Sequence, residues 1–208
     1  MNHDRLHALS DGIFAIAMTL LVFQIKVPSV DVSNYHAIWH SLVELFPVFA
    51  SFVLSFAILF TYWRSHNFVV SNLAQNIDVA ITNINALFLF FVVLVPFSAE
   101  FLGLYYRSEF GIALYGLNII AISTTLIYMR SYILTAEHIE NKDWTEQELS
   151  NGFIRMAFPS VTAALAILVG FVNKDAALGF FILGILFNFS RSSTHVAKKA
   201  IYAMKRTE

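Results

Sequence analysis

The stretch "LSDGIFAIAMTLLVFQI", residues 9–25, is apolar enough to enter a membrane, yet it begins with a serine and an aspartate. Crossing a hydrocarbon core of about 30 Å takes about 20 helical residues. The uncharged part, residues 12–25, has only 14 residues. The helix therefore has to begin near Leu6, which brings both Ser10 and Asp11 inside it near the membrane edge.

The composition of the whole chain also indicates lipid as the solvent. Of its 208 residues, 58% are hydrophobic and 13% are charged, whereas about 25% are charged in a soluble domain. The net charge of −1 gives no basic field for nucleic acid. The absence of cysteine excludes disulfides, thiol catalysis and cysteine-based metal sites. These features predict a single membrane domain over residues 1–208.

Five further apolar segments follow the first. Backbone polar groups in hydrocarbon must be satisfied within their own segment, and runs of this length suit helices. The sequence thus predicts an all-α polytopic membrane protein with six transmembrane helices. The last segment is apolar only to Phe189 and continues as a helix into water. The five segments are residues 40–63, 79–101, 110–129, 153–172 and 176–197.

An even number of spans places both termini on one side of the membrane. Of the 13 lysines and arginines, three lie on the opposite side, namely Lys26, Arg107 and Lys174. Positive charge is enriched in cytoplasmic segments, which predicts a multi-pass protein of the cell membrane with cytoplasmic termini. The ten on the side of the termini are Arg5, Arg64, Arg130, Lys142, Arg155, Arg191, Lys198, Lys199, Lys205 and Arg206.

The first helix carries a stripe of apolar side chains with one hydroxyl. At 100° per residue, Ile16, Thr19, Leu20 and Phe23 share one face. Ordinary helix packing explains such a stripe, with Thr19 bonding back to its own backbone. Asp11 belongs to a different face, which we expect to point into the bundle.

An aspartate in a span is costly and is usually paired. Its candidate partners at the same depth are Arg5 and the cluster "YWRSHN" at residues 62–67. In that cluster, Trp63 and His66 can donate hydrogen bonds to a carboxylate, and Asn67 can donate and accept. Two interpretations follow: a cap at the helix end, or a polar lock that ties the first helix to the second and third.

These residues resemble a known family. The first helix of the transmembrane protein 175 family opens with the pattern Arg-x3-Phe-Ser-Asp, and members of this family are cation channels known as lysosomal potassium channels in animals. The likeness extends to six spans and to the basic end of the last helix. The matching residues here are Arg5, Leu9, Ser10 and Asp11, followed by "GIFAIAMTLLV", and Trp63, His66 and Asn67 after the second span.

The resemblance implies a role for each residue group. Prokaryotic members have one six-helix unit and assemble as tetramers, in which the first helices line the pore. The constriction falls on Ile16, and the next pore-facing positions fall on Thr19, Leu20 and Phe23. Two positions depart from the family pattern: Leu9 replaces phenylalanine, and Phe23 replaces a smaller aliphatic residue. The polar network that holds the pore helix corresponds to Arg5, Ser10, Asp11, Trp63 and His66, with Asn67 beside them.

The expected function is therefore a potassium-permeable channel with moderate preference for potassium over sodium. The sequence has no "TVGYG" loop, so this preference has to arise in another way, for example from a ring of Thr19 hydroxyls. The expected partners are the lipid bilayer, identical subunits and monovalent cations. We expect no cofactor, no resident metal, no nucleic acid and no enzymatic activity.

Three other functions stay open at this point. A proton-permeable channel of the same fold keeps the pore, and His66 could make its polar lock sensitive to pH. A secondary transporter would use polar or broken spans, for which Asn83, Asn85 and Pro96 are the only hints. A membrane enzyme has little support, because the histidines are scattered and show no paired spacing such as H-E-x-x-H.

Overall fold

The computed structural model describes residues 3–29, 35–74, 76–139 and 145–189, and nearly all of them are helical. Helix α1 continues as a 3-10 turn over Leu21–Gln24, and α3 continues as a π-helical segment over Phe68–Leu73. The α-helices are α1 (His3–Leu20), α2 (Tyr35–Glu44), α3 (Phe46–Asn67), α4 (Val79–Val93), α5 (Val95–Leu104), α6 (Glu109–Thr135), α7 (Glu146–Gly170) and α8 (Lys174–Phe189).

The prediction of an all-α polytopic membrane protein is confirmed. Five segments of the described chain are long and apolar enough to span a membrane: His3–Gln24, Phe46–Ser71, Val79–Leu104, Glu109–Thr135 and Glu148–Gly170. The described 16 residues of α8 belong to the sixth predicted span. The predicted end of that span, residues 190–197, and the basic residues around it lie outside the described residues.

Two predicted spans contain a break next to a proline. The second is divided at Leu45 into α2 and α3, and the third is divided at Leu94 into α4 and α5. Pro47 and Pro96 lie in the first turn of the second helix of each pair, where a missing backbone N–H leaves no bond unmade. The amide of Phe49 donates to the carbonyl of Leu45 and that of Ser98 to the carbonyl of Leu94, which bonds the second helix of each pair to the residue at the break.

The connection between the predicted spans 110–129 and 153–172 is shorter than their limits imply, because α6 runs on to Thr135 and α7 begins at Glu146. Thr145 caps α7 by accepting from the amide of Glu148 at 3.3 Å, and the Glu148 carboxylate accepts from the amide of Thr145 at 3.1 Å. A fall in hydropathy along the sequence marks only where the membrane-embedded part of a helix ends. Helices α6 and α7 both extend beyond that limit.

The packing of the bundle leaves α1 at its edge. Helices α6, α7 and α8 pack on one another in sequence, α3 packs on α5, and α6 contacts both α4 and α5. Two tyrosines at the centre of the bundle bond across helices: Tyr115 pairs with Ser55 at 3.0 Å, and Tyr62 donates to the carbonyl of Ile119 at 3.1 Å. Helix α1 packs mainly on α4, with further contacts to α3 and α5.

Asp78 fixes the start of α4. Its carboxylate accepts from the Ile81 amide at 2.7 Å, the Tyr132 hydroxyl at 2.5 Å and the His138 imidazole at 2.9 Å. Desolvation by burial works against the charged form, but these hydrogen bonds outweigh it and lower the pKa of Asp78 to about 2. The residue is anionic at neutral pH, and it positions Asn85 two turns further along α4.

Candidate functional site

One face of α1 is packed against its own chain. The buried residues recur three or four positions apart, which is the spacing of a single helical face. This face contacts α3, α4 and α5. Its members are Leu6, Ser10, Phe14, Ala17, Leu21 and Gln24.

The opposite face carries the four residues predicted to line a pore, and it is exposed in the single chain. Ile16 is 59% exposed, Leu20 is 43% exposed and Phe23 is 75% exposed, and Thr19 belongs to the same exposed face. At Gly12, on this face, an added Cβ would find no atom within 4 Å. The stripe therefore makes little contact with the rest of the described chain.

The Thr19 hydroxyl is bonded to its own helix. Its Oγ1 lies 3.0 Å from the carbonyl of Ala15 and 2.9 Å from that of Ile16, and it donates its proton to this pair. A hydroxyl has one proton and two acceptor lone pairs. The back-bond thus uses the proton and leaves oxygen lone pairs available on the exposed face.

A buried polar chain attaches α1 to α3 and α4. The ring nitrogen Nε2 of His66 lies 2.7 Å from Oδ1 of Asn85, and Nδ2 of Asn85 donates to Oγ of Ser10 at 3.3 Å. All three side chains are almost fully buried. The ring of Phe88 stacks on His66 with centroids 5.0 Å apart and 7° between planes. In hydrocarbon such bonds fix both the depth and the rotation of α1.

Asp11 forms a separate contact. Its Oδ1 accepts from the indole Nε1 of Trp63 at 2.8 Å, and Asp11 is exposed at the side of α1. The expectation that Asp11 points into the bundle is therefore wrong. Arg5 is exposed and makes no ion pair with any described residue. The amide oxygen of Asn67 is buried and finds no donor among the described side chains. The residues predicted to form one network thus form two separate contacts, one through Ser10 and His66 and one between Asp11 and Trp63, and Arg5 lies outside both.

Two residues that were not predicted as site residues attach α1 to its neighbours. Asn85 joins Ser10 to His66, and the amide of Gln24 donates to the carbonyl of Pro96 at 2.7 Å. Gln24 has a sequence signal, because it is 14 residues, or about four helical turns, after Ser10 and falls on the same face. Asn85 has a weaker signal, as one of two asparagines in an apolar span.

The first turns of α1 are bonded to the π-helical end of α3. His3 Nε2 lies 3.0 Å from the carbonyl of Val70, and His7 is hydrogen-bonded to the hydroxyl of Ser71. Wide π turns of this kind occur frequently at functional positions. Polar contacts to the same chain thus recur along α1, all of them off the exposed stripe.

Replacing Asp11 by alanine should destabilise the protein modestly. The change removes the acceptor of the Trp63 indole, and because the pair is exposed we expect a loss of about 1 kcal/mol in the free energy of unfolding. This corresponds to a fall of roughly 2–4 °C in the melting temperature in detergent. Asp11→Asn retains an acceptor and should recover most of the loss. Equal losses for the two variants would show that charge, and not this hydrogen bond, carries the effect.

An apolar bundle of long helices with a polar-anchored first helix defines the class as an α-helical multi-pass membrane protein. The model of the family "Endosomal/lysosomal potassium channel TMEM175" matches residues 5–96. A potassium channel of Streptomyces collinus is 30% identical over 192 residues, which cover 90% of this chain and 92% of the relative. A potassium channel of Chamaesiphon minutus is 29% identical, with coverage of 88% and 92%.

The fold agrees with a solved structure. The crystal structure of a lysosomal potassium-selective channel TMEM175 homolog from Chamaesiphon minutus superposes with a TM-score of 0.78 at 27% identity, covering 91% of this chain and 97% of that chain. The chain therefore belongs to the TMEM175 family of potassium channels, as a relative of its bacterial members. This is a family of channels and not a class of enzymes, which removes the support for a membrane enzyme.

Proposed function

We propose that this chain is the subunit of a homotetrameric, potassium-permeable channel in the cell membrane, with α1 of each subunit lining the pore. Residues 1–208 would form one channel domain. The observation that carries the proposal is the exposed stripe on a helix whose other face is anchored by polar side chains. A helix attached in this way cannot rotate about its own axis relative to the rest of the subunit. The exposed stripe therefore faces a single direction, away from the bundle.

The stripe needs copies of itself to enclose a pore. One helix cannot surround an ion path, and identical subunits close into rings by rotational symmetry. The number four comes from the family resemblance. Placed around an axis, the α1 helices would bring four copies of Ile16 together and bury side chains that are exposed in the single chain.

Ile16 would form the narrowest ring of this pore. A ring of branched aliphatic side chains offers no hydrogen bonds to water, and such constrictions gate by losing their water. Phe23 would stand two turns nearer the outer mouth. The aromatic ring there would narrow the entrance.

Thr19 would supply oxygen atoms between these two rings. The hydroxyl donates to carbonyls of its own helix, so its lone pairs can face a cation. Four such oxygens can replace part of the hydration shell of potassium, which supports a moderate preference over sodium. Lysine and arginine in the sequence are concentrated on the side of the termini, which supports a cytoplasmic location for both.

Bi-ionic recording from purified protein in planar bilayers tests this function. With potassium on one side and sodium on the other, a channel gives a passive current whose reversal potential is displaced toward potassium equilibrium. A reversal potential that follows an imposed pH gradient would identify protons as the permeating ion. Flux that saturates and requires a coupling ion would identify a transporter.

The same recording can locate the pore, because the chain has no cysteine. A water-soluble thiol reagent should block the current of an Ile16→Cys variant and leave the wild type unaffected. Leu168→Cys is the matched control, since Leu168 is comparably exposed on α7. A stripe that faces lipid would leave the Ile16→Cys current unchanged and contradict the pore assignment.

A further inference from the structure

A basic cavity lies between the ends of α3 and α7, away from the exposed stripe of α1. Its volume is about 310 Å³, within the range of ligand pockets. Two arginines, Arg64 and Arg155, line it from these two helices. We infer that this cavity binds the phosphate group of an anionic phospholipid in the adjacent membrane leaflet.

The charges of the cavity favour an anion. The guanidinium of Arg64 donates to the carbonyl of Asn188 at 2.9 Å, which keeps it at the cavity wall while its other N–H groups can serve a ligand. Arginine presents several N–H groups in a plane that matches phosphate oxygens. Two guanidinium groups that line one cavity can both donate to the oxygens of a single phosphate.

Glu148 also lines the cavity, but its carboxylate is already bonded. Its Oε2 accepts from the amide of Thr145 at 3.1 Å and from the hydroxyl of Thr145 at 2.7 Å. These bonds cap α7 and hold the carboxylate toward the start of that helix. Asn151, one turn further along the same helix, adds an amide whose N–H groups can donate to phosphate.

The position and walls of the cavity indicate a lipid as the source of the phosphate. Phe68 and Met156 supply apolar surface beside the arginines. Both α3 and α7 belong to membrane-spanning segments, and the cavity lies at the end of each. Basic pockets between transmembrane helices at this level bind anionic headgroups, whereas a free phosphate would need no apolar wall.

Native mass spectrometry of the delipidated protein tests the proposal with phosphatidylglycerol and phosphatidylcholine. The wild type should bind about one phosphatidylglycerol per subunit, at least about tenfold more tightly than phosphatidylcholine. Arg155→Gln removes one guanidinium, and Asn151→Asp places a carboxylate beside the phosphate. Each should weaken phosphatidylglycerol binding by at least about tenfold, equivalent to about 1.4 kcal/mol.

Matched controls separate the cavity from general charge effects. Ser150→Asp adds the same charge on the neighbouring residue of α7, which does not line the cavity. Arg107→Gln removes an arginine that lies over the Tyr106 ring outside the cavity. Both control variants should bind phosphatidylglycerol like the wild type. If Arg155→Gln does not fold, the Asn151→Asp variant decides the test.

Any of three results would overturn the proposal. The first is equal binding of the two lipids by the wild type, and the second is unchanged phosphatidylglycerol binding by a folded Asn151→Asp variant. The third is stabilisation by millimolar inorganic phosphate without retention of phosphatidylglycerol, which would identify a soluble anion as the ligand. Displacement of retained phosphatidylglycerol by phosphate would instead support a shared site.

Discussion

Replacing Ile16 by asparagine is expected to raise the potassium conductance at least about tenfold and to weaken the preference for potassium over sodium. The asparagine amide can hydrogen-bond water inside the constriction, so the pore would stay hydrated. A ring of isoleucine side chains from the surrounding subunits would expel that water. A tenfold rise corresponds to a fall of about 1.4 kcal/mol in the barrier to permeation. Single-channel recording in symmetric potassium, followed by bi-ionic potentials, measures both effects.

The control for this variant is Ile182→Asn. Ile182 is 51% exposed on α8, so the same chemical change is made at a comparably exposed position away from α1. This variant should conduct like the wild type and should report any general cost of an asparagine in the membrane. If Ile16→Asn is folded and oligomeric but its currents match those of the wild type, Ile16 does not form the constriction.

Replacing Asn85 by alanine is expected to give the largest loss of stability. The change removes the hydrogen-bond partner of the buried His66 ring nitrogen, whereas the Ser10 hydroxyl keeps its bond to the carbonyl of Leu6 at 2.9 Å. A buried polar group left unpaired costs about 1–3 kcal/mol, so the free energy of unfolding should fall by about 2 kcal/mol. For a chain of this size the melting temperature in detergent should fall by roughly 4–8 °C.

Asn83→Ala provides the control on the same helix. Asn83 is two residues away on α4, but its side chain is exposed. Its replacement should change the melting temperature little, and the oligomer fraction measured by size-exclusion chromatography should stay close to that of the wild type. Similar losses for both variants would contradict the role of Asn85, because they would show only that α4 tolerates no change in this region.

The two faces of α1 could be predicted because they depend on the helix itself. Spacing along one helix determines which residues share a face, so the stripe containing Ile16 follows from the sequence alone. The partner of Ser10 could not be predicted in this way. It lies 75 residues away on α4, and that helix is apolar except at Thr82, Asn83 and Asn85. The sequence therefore does not show whether Asn83 or Asn85 turns toward α1.

The direction of Asp11 and the ends of the helices required the structure for a different reason. The cost of charge in hydrocarbon suggested that Asp11 turns inward, but near the membrane edge an exposed carboxylate with one indole donor is sufficient. Hydropathy likewise gives the limits of the hydrocarbon core. The actual start of α7 depends on a local cap at Thr145, which no measure of apolarity detects.

The attachment of α1 at two heights has a mechanical consequence. Ser10 is bonded near one end and Gln24 near the other, and about 21 Å of helix separates them. A helix that is bonded to its neighbours at two separate positions resists bending and tilting relative to the rest of the bundle. In the proposed channel, the pore would therefore change width by whole subunits pivoting together and not by a hinge inside α1. The bundle that holds α1 would then determine how stiff the pore wall is.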